Sequence, residues 1–452
     1  MRFFYFNKIH LASIKEITIP LGVKDLIVTL SSRGGSMLIG LAMQSVLAWT
    51  LGPEKRGEYA VCLIFSTFSA VVFTFGLDWA TSYYIAATEK LFNQIITAVF
   101  IYSFLITIVM WPILYYVIHI PITFFNQASI YSFYLSIIWA SSLILLYIST
   151  NILRGLRDFS RLATITLIRF LYVLFITLLL TSTTNLNVFA PILADISGNF
   201  FFFITIFIII RRRWQPQLPS MGTLSNIFGY GSRMILGSVS MLANLRIATI
   251  ILAFFVSKDE IGYFALAMAI LTQLGSLADA LNNILLPRIA SSIDGRADLV
   301  SQMARFNSTV TLVIGAIILF TAKWLIPLIF SDMFIPSISL VIILFPGMWL
   351  RSTVKILFAF FNGINRPQFV SLTTFLNIFL NIILLIYSIP RWGIVGAAWV
   401  ATIANIISSI FAIIMYNIKS NTALINVLIV NYMDITSLFK FFSGKYSSIS
   451  EK

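Results

Sequence analysis

The sequence predicts an all-α polytopic membrane protein of about 12 transmembrane helices, in two six-helix lobes related by a pseudo-two-fold axis along the membrane normal. Composition, the spacing of apolar runs and an internal repeat lead to that fold class. Of 452 residues, 59% are apolar and 10% are Asp, Glu, Lys or Arg, against roughly 45–50% and about 25% in soluble domains. Crossing the ~30 Å hydrocarbon layer takes about 20 apolar residues, and runs of that length recur along the whole chain, each bounded by charges, Pro, Gly or Asn.

The elements follow in order. Residues 1–24 mix polar and apolar side chains and precede a run of spanning length, so they read as a cytoplasmic segment and not as a cleaved signal. Spans at 28–50, 59–86, 95–118, 128–150, 162–182 and 188–210 make an N-terminal lobe, 25–210. A cytoplasmic loop, 211–232, opens with Arg211-Arg212-Arg213 and separates the lobes. Spans at 234–256, 262–286, 307–330, 337–361, 369–389 and 394–416 make the C-terminal lobe, 233–416. In the tail, 417–452, the apolar patch from Ala423 to Val430 is too short to span and reads as interfacial.

The formal net charge is +14 and the pI about 9.8. In a soluble protein this excess would suggest nucleic acid; in a membrane chain, Lys and Arg collect in cytoplasmic loops. With the N-terminus inside, 19 of the 30 basic residues fall on the cytoplasmic side and 4 outside (Lys55, Arg56, Lys258 and Arg391). The remaining seven lie in or at the edges of spans, and 19 + 4 + 7 recovers 30. Both termini are therefore expected in the cytoplasm, and Arg211–Arg213 reads as a topogenic stop, with no nucleic-acid partner.

The two halves resemble each other. Gly57-Glu58-Tyr59-Ala60 matches Gly262-Tyr263-Phe264-Ala265 at an offset of 205, each after a short charged turn. Arg154-Gly155-Leu156-Arg157 matches Asn362-Gly363-Ile364-Asn365 at an offset of 208, each between a fourth-type and a fifth-type span. Six spans per half is an even number, so both halves insert in one orientation, with a substrate site expected between them.

Catalytic parts are nearly absent. His10 and His119 fall in separate segments and cannot share a metal, and Cys62 is the lone cysteine. Gly229-Tyr230-Gly231 lacks the third glycine and the preceding strand of a dinucleotide fingerprint. Outer loops are short, the longest running around Pro121 to Gln127. A transporter without its own ATPase, cofactor or metal is expected, and no enzyme.

Ionisable residues inside spans are expensive and usually face a cavity. Arg246 falls about midway along span seven and Arg351 midway along span ten; Lys355 follows Arg351 by four residues and shares its helical face. Arg33, Arg169 and Lys323 lie nearer span ends, where snorkelling is the ordinary expectation. Asp78 and Asp279 are either structural bridges, with Arg33 or Arg288 as partners, or coupling carboxylates, and Asp195 reads as structural or interfacial. Polar residues recur at helical spacing: Ser36, Gly40 and Gln44; Thr374, Asn377 and Asn381; Thr402, Asn405 and Ser409. Such stripes either line a wet lumen or act as interhelical hydrogen-bond glue.

Several motifs carry a family resemblance. Leu51-Gly52-Pro53-Glu54-Lys55-Arg56-Gly57-Glu58-Tyr59-Ala60, Phe75-Gly76-Leu77-Asp78, Leu286-Pro287-Arg288 and Asn362-Gly363 resemble the oligosaccharide-lipid flippases of the multidrug/oligosaccharidyl-lipid/polysaccharide exporter superfamily, and among them the bacterial O-antigen repeat-unit flippases of lipopolysaccharide biosynthesis. The resemblance implies an inner-membrane protein that moves an undecaprenyl-diphosphate-linked oligosaccharide between leaflets by alternating access through a cationic lumen. Arg246 and Arg351 match that family in kind; with Lys355 they would meet the diphosphate, and Arg33 is a further substrate-binding candidate. Gln44, Asn377 and Asn405 would contact sugars, Asp78 and Asp279 would couple H+ or Na+, and other polysaccharide assembly proteins are expected partners. Two alternatives stay open. A multidrug cation antiporter of the same superfamily favours carboxylates in the lumen, and a membrane-embedded glycosyltransferase or polymerase needs larger outer loops.

Overall fold

The computed structural model describes residues 23–279, 281–282, 285, 296–364, 366–420 and 428. Among the described residues the regular elements are helices: α1 (Val23–Thr74), α2 (Leu77–Ala87), α3 (Phe92–Ile118), α4 (Ile130–Gly155), α5 (Phe159–Thr183), α6 (Phe189–Ile210), α7 (Met221–Leu252), α8 (Lys258–Thr272), α9 (Arg296–Phe330), α10 (Ser337–Gly363) and α11 (Gln368–Ser420). Among the described residues, ten helices are long and apolar enough to cross a membrane. The chain is an all-helical membrane protein. For brevity, the bundle end that carries Arg154, Arg157 and Arg211–Arg213 is called the basic end, and the other the Gly52 end.

Where the sequence predicts separate spans, two helices run through with a break. In α1 the break is Gly52 (φ 64°, ψ −179°), and in α11 it is Gly393 (φ 53°, ψ −139°). Both conformations are essentially open only to glycine. Pro53 then occupies the first position of the renewed helix, where a missing N–H costs nothing, so the chain turns sharply without a loop. The expected span 59–86 is also divided. Phe75 (φ 53°) and Gly76 (φ 69°) interrupt it, because this segment comes against the start of α7. A Cβ on Gly76 would collide with the carbonyl of Gly231, and one on Gly231 with that of Phe75. Here Gly229-Tyr230-Gly231 finds its role: it admits another backbone, and Tyr230 stacks on Tyr83 with centroids 4.7 Å apart.

Helices α7 and α9 begin earlier than the apolar runs within them, since hydropathy marks the hydrocarbon layer and not the helix. Part of the expected loop 211–232 is therefore helical, its start capped by the Ser220 hydroxyl accepting from Thr223 N–H.

The largest fully buried side chains, Trp139, Phe133, Phe202, Phe264 and Tyr416 among them, lie between helices, while Leu236, Phe320, Trp324 and Leu328 stand exposed on α7 and α9. Lipid is as apolar as leucine, so packing and hydrogen bonding must hold such helices together. Hydrogen bonds between α11's two arms do this. Asn377 donates across to Asn405 Oδ1 (3.0 Å) and Ser408 Oγ (3.0 Å), while within the first arm Asn381 donates to Asn377 Oδ1 (3.0 Å).

The repeat is visible in matched local structure. At the end of α4, Asp158 N–H donates to Leu153 O (3.1 Å); 208 residues on, Arg366 N–H donates to Phe361 O (2.8 Å). At the Gly52 end the two halves meet in reciprocal fashion, as Gly57 abuts Lys258 and Gly262 abuts Pro53.

Candidate functional site

The site is built on α10. Arg351 and Lys355 sit one turn apart on it, and Lys355 Nζ bonds both oxygens of Asp279, at 3.0 and 3.1 Å. Gly275 leaves room for that ammonium, since a Cβ there would lie 3.0 Å from Nζ. The pair is partly open, with the side chains 30% and 47% exposed. Asn282 anchors the same turn by donating to Lys355 O at 2.9 Å. Arg351 feels the charge of Asp279, but the carboxylate is already held by Lys355. One carboxylate thus faces two cations, and the cluster keeps a net positive charge.

Arg246 on α7 makes no ion pair or hydrogen bond among the described residues. The titratable groups in its electrostatic surroundings are the phenols of Tyr59 and Tyr147, on α1 and α4 of the first half, both uncharged near neutral pH. Arg246 and Arg351 are the two predicted mid-span cations, and both are half-buried. Neither phenol is evident from the sequence, where Tyr59 reads only as part of the repeated Gly-Glu-Tyr-Ala turn.

Other expected site residues lie elsewhere. The Gln44 side chain accepts from Arg56 Nη2 at 2.6 Å, and its carbonyl accepts from Nη1 at 3.1 Å. Asn377 is 4% exposed and held in the α11 clamp. For both residues, interhelical glue describes the contacts made. Asp78 opens α2 and accepts backbone N–H groups there, its own and that of Trp79. The Arg33 side chain and Arg288 lie outside the described residues.

Two expectations need correction. Arg169 does not snorkel: it is 7% exposed, pairs with Asp195 Oδ1 at 2.5 Å and donates to Asn199 Oδ1 at 2.6 and 3.0 Å. Trp139 Nε1 takes the second Asp195 oxygen at 2.6 Å, and Asn199 donates to Ser142 Oγ. Helix α6 supplies the partners and α4 holds those partners in turn, so burial with full pairing replaces the reach to water. Arg56, assigned to an outer loop, is 3% exposed, folded onto Gln44 and under the ring of Phe334, 5.6 Å from its centroid. It thereby helps seal the Gly52 end between the halves. There Gln127 also donates to the carbonyls of Ala253 and Val256 (both 3.0 Å), and Ser45 and Trp49 donate to Ile329 O (2.5 and 2.9 Å).

A cationic cluster, spanning-length helices and matched halves are now in place. Residues 46–339 match the family described as "Polysaccharide biosynthesis protein". The chain belongs to that family. No curated protein sequence matches it. Among solved structures it is similar to the lipid II flippase MurJ in an inward closed conformation, at TM-score 0.72 and 16% identity over 94% of this chain and 93% of that one. It is also similar to an inward-facing multidrug resistance MATE family transporter of the MOP superfamily, at TM-score 0.63 and 17% identity over 88% and 98%. A MOP superfamily transporter from Pyrococcus furiosus aligns at TM-score 0.56 and 14% identity over 89% and 95%. At these identities the likeness is one of fold: the chain has the fold of MOP superfamily transporters.

Proposed function

We propose that this polysaccharide biosynthesis protein is a flippase that moves an undecaprenyl-diphosphate-linked oligosaccharide, an O-antigen or related repeat unit, from the cytoplasmic to the outer leaflet of the inner membrane. The observation that carries the reading is the pair Arg246 and Arg351. Both are half-buried within spanning helices and neither has an ion pair or hydrogen bond among the described residues. An unpaired arginine at membrane depth is costly, and a diphosphate is the chemistry that relieves that cost through short charge-assisted hydrogen bonds. The sugars would follow the diphosphate between the halves while the polyprenyl chain stays in lipid.

Lys355 belongs to the same cradle. A diphosphate arriving at Arg351 competes with Asp279 for the ammonium, which makes Asp279 the carboxylate best placed to take up H+ or Na+ as substrate binds. With the basic end in the cytoplasm, the Gly52 end would be the outer one, and the contacts of Arg56, Gln127, Ser45 and Trp49 there support a reading closed to the outside. An inside-negative potential favours outward movement of the anion by roughly 2.3 kcal/mol per charge per 100 mV.

The test replaces Arg246 or Arg351 with Ala and measures surface polysaccharide at matched protein levels. Loss of export in either variant is the expected result. Normal export in both would overturn the anion cradle.

A further inference from the structure

The polar network around Arg169 has a counterpart in the second half. Arg169 donates to Asn199 Oδ1 (3.0 Å), and Asn199 Nδ2 donates to Ser142 Oγ (2.9 Å). In the second half Asn377 donates to Asn405 Oδ1 (3.0 Å), and Asn405 Nδ2 reaches Met348 Sδ (4.0 Å). The partners correspond at an offset of 208 for 169 and 377, and of 206 for 199 and 405 and for 142 and 348. The contacts of α5, α6 and α4 are thus repeated by the two arms of α11 and by α10.

That register makes the differences readable. At the offset of 206, Trp139 corresponds to Phe345 and Asp195 to Ala401; at the offset of the repeated turn, 205, Tyr59 corresponds to Phe264. Phe264, Phe345 and Ala401 are all buried, so these positions pack well with hydrocarbon alone. The first half instead carries a phenol, an indole N–H and a carboxylate, and the three are connected. Trp139 Nε1 donates to Asp195 Oδ2 (2.6 Å), Arg169 holds the other carboxylate oxygen, and the Tyr59 ring leans on Trp139 with centroids 5.6 Å apart. Polar atoms in an apolar interior cost free energy unless paired, and the second half shows that the architecture does not demand them. The member without a partner is Tyr59. It is half-buried where Phe264 is enclosed, and its hydroxyl makes no hydrogen bond among the described residues. Arg246, from the second half, has Tyr59 in its electrostatic surroundings. A free phenolic O–H beside a guanidinium that lacks an ion pair is a second donor for the same anion.

We propose that Tyr59 is a ligand of the diphosphate, donating its O–H from the first half as Arg246 donates from the second, and that Trp139, held by Asp195, is the positioning residue that fixes its ring. The inference rests on the reading of Arg246 as an anion ligand. Arg246, Arg351 and Lys355 all belong to the second half, so Tyr59 gives the first half its own hold on the anion, which then spans the seam between them.

Calorimetric titration of the purified full-length protein with pyrophosphate tests this, with thermal unfolding of each variant alongside. Tyr59→Phe removes one oxygen that has no protein partner, so its unfolding midpoint should equal that of the parent while pyrophosphate affinity falls about tenfold. Trp139→Phe copies the residue of the second half and releases the Tyr59 ring. It should weaken binding in the parent and have no further effect in Tyr59→Phe, a coupling that a merely structural role would not produce. Unchanged affinity in Tyr59→Phe would overturn Tyr59 as a ligand, and additive losses in the double variant would overturn Trp139 as its support. Arg246→Ala keeps the two readings apart. Weaker binding there, with unchanged binding in Tyr59→Phe, removes the phenol alone, whereas unchanged binding in Arg246→Ala removes the cradle on which it rests. A parent protein that binds no pyrophosphate would overturn both.

Discussion

Gly57 and Gly262 each abut the other's turn. A Cβ on Gly57 would collide with Lys258 O, and one on Gly262 with Pro53 O. Both pairs differ by 205 positions (262 − 57 and 258 − 53), so the contact maps onto itself when the halves are exchanged. Such reciprocity is the form an isologous contact takes, here made within one chain. It joins backbone to backbone, so only glycine fits on either side.

Gly57→Val and Gly262→Val should each destabilise the protein by about 1–3 kcal/mol, the range for forced overpacking. The two effects should be similar in size, and the double variant should fall short of their sum because the sites touch. Thermal unfolding in detergent reads this, and a harmless valine at both positions would contradict a tight seam.

The Asp279–Lys355 pair is partly exposed, so it should contribute little to stability, about 1 kcal/mol or less. Its effect on anion binding should be larger. Asp279→Asn frees Lys355 and should tighten pyrophosphate binding, whereas Lys355→Ala should weaken it. Calorimetric titration should show a change on the order of tenfold in each direction, the factor that corresponds to ~1.4 kcal/mol. Changes of the same sign in both variants would remove the competition between Asp279 and the substrate.

Arg169 and Asp195 should behave in the opposite way. Either Arg169→Met or Asp195→Ala strands a buried charge and should cost roughly 3–5 kcal/mol, while an apolar double replacement recovers most of the loss. Unfolding midpoints of the three variants test this. Full stability in either single variant would show that water reaches the pair.

Asn377→Ala removes donors to Asn405 and Ser408 and should destabilise by about 1–3 kcal/mol. Export per folded molecule should stay unchanged, and Gln44→Ala should follow the same pattern. A selective loss of export at normal stability would return these amides to the sugar path.

Much of the fold is legible in the sequence because the bilayer imposes it. Lipid forces a helix wherever about 20 apolar residues run together, so helical class, span positions and the repeat at offsets 205 and 208 follow from residue type alone. Span boundaries were less legible. Gly52 and Gly393 read as loop signals yet hold helices in direct succession, and Phe75-Gly76 reads as mid-span yet breaks a helix against Gly231. In each case the deciding fact is a second backbone or a positive φ, neither of which hydropathy registers.

The site divides in the same way. Which charges fall within spans is legible from residue order, because it depends only on position along an apolar run: Arg246, Arg351 and Lys355 deep, Arg33, Arg169 and Lys323 nearer the ends, with Asp78, Asp195 and Asp279 as the acids. Their partners follow from how the helices pack. Asp195, on the neighbouring helix α6, neutralises Arg169; Asp279 reaches Lys355 and leaves Arg351 in excess; Arg246 has no carboxylate partner among the described residues. Pairing is a matter of a few ångströms between helices far apart in the chain, and the period of a single helix carries no information about what packs against it.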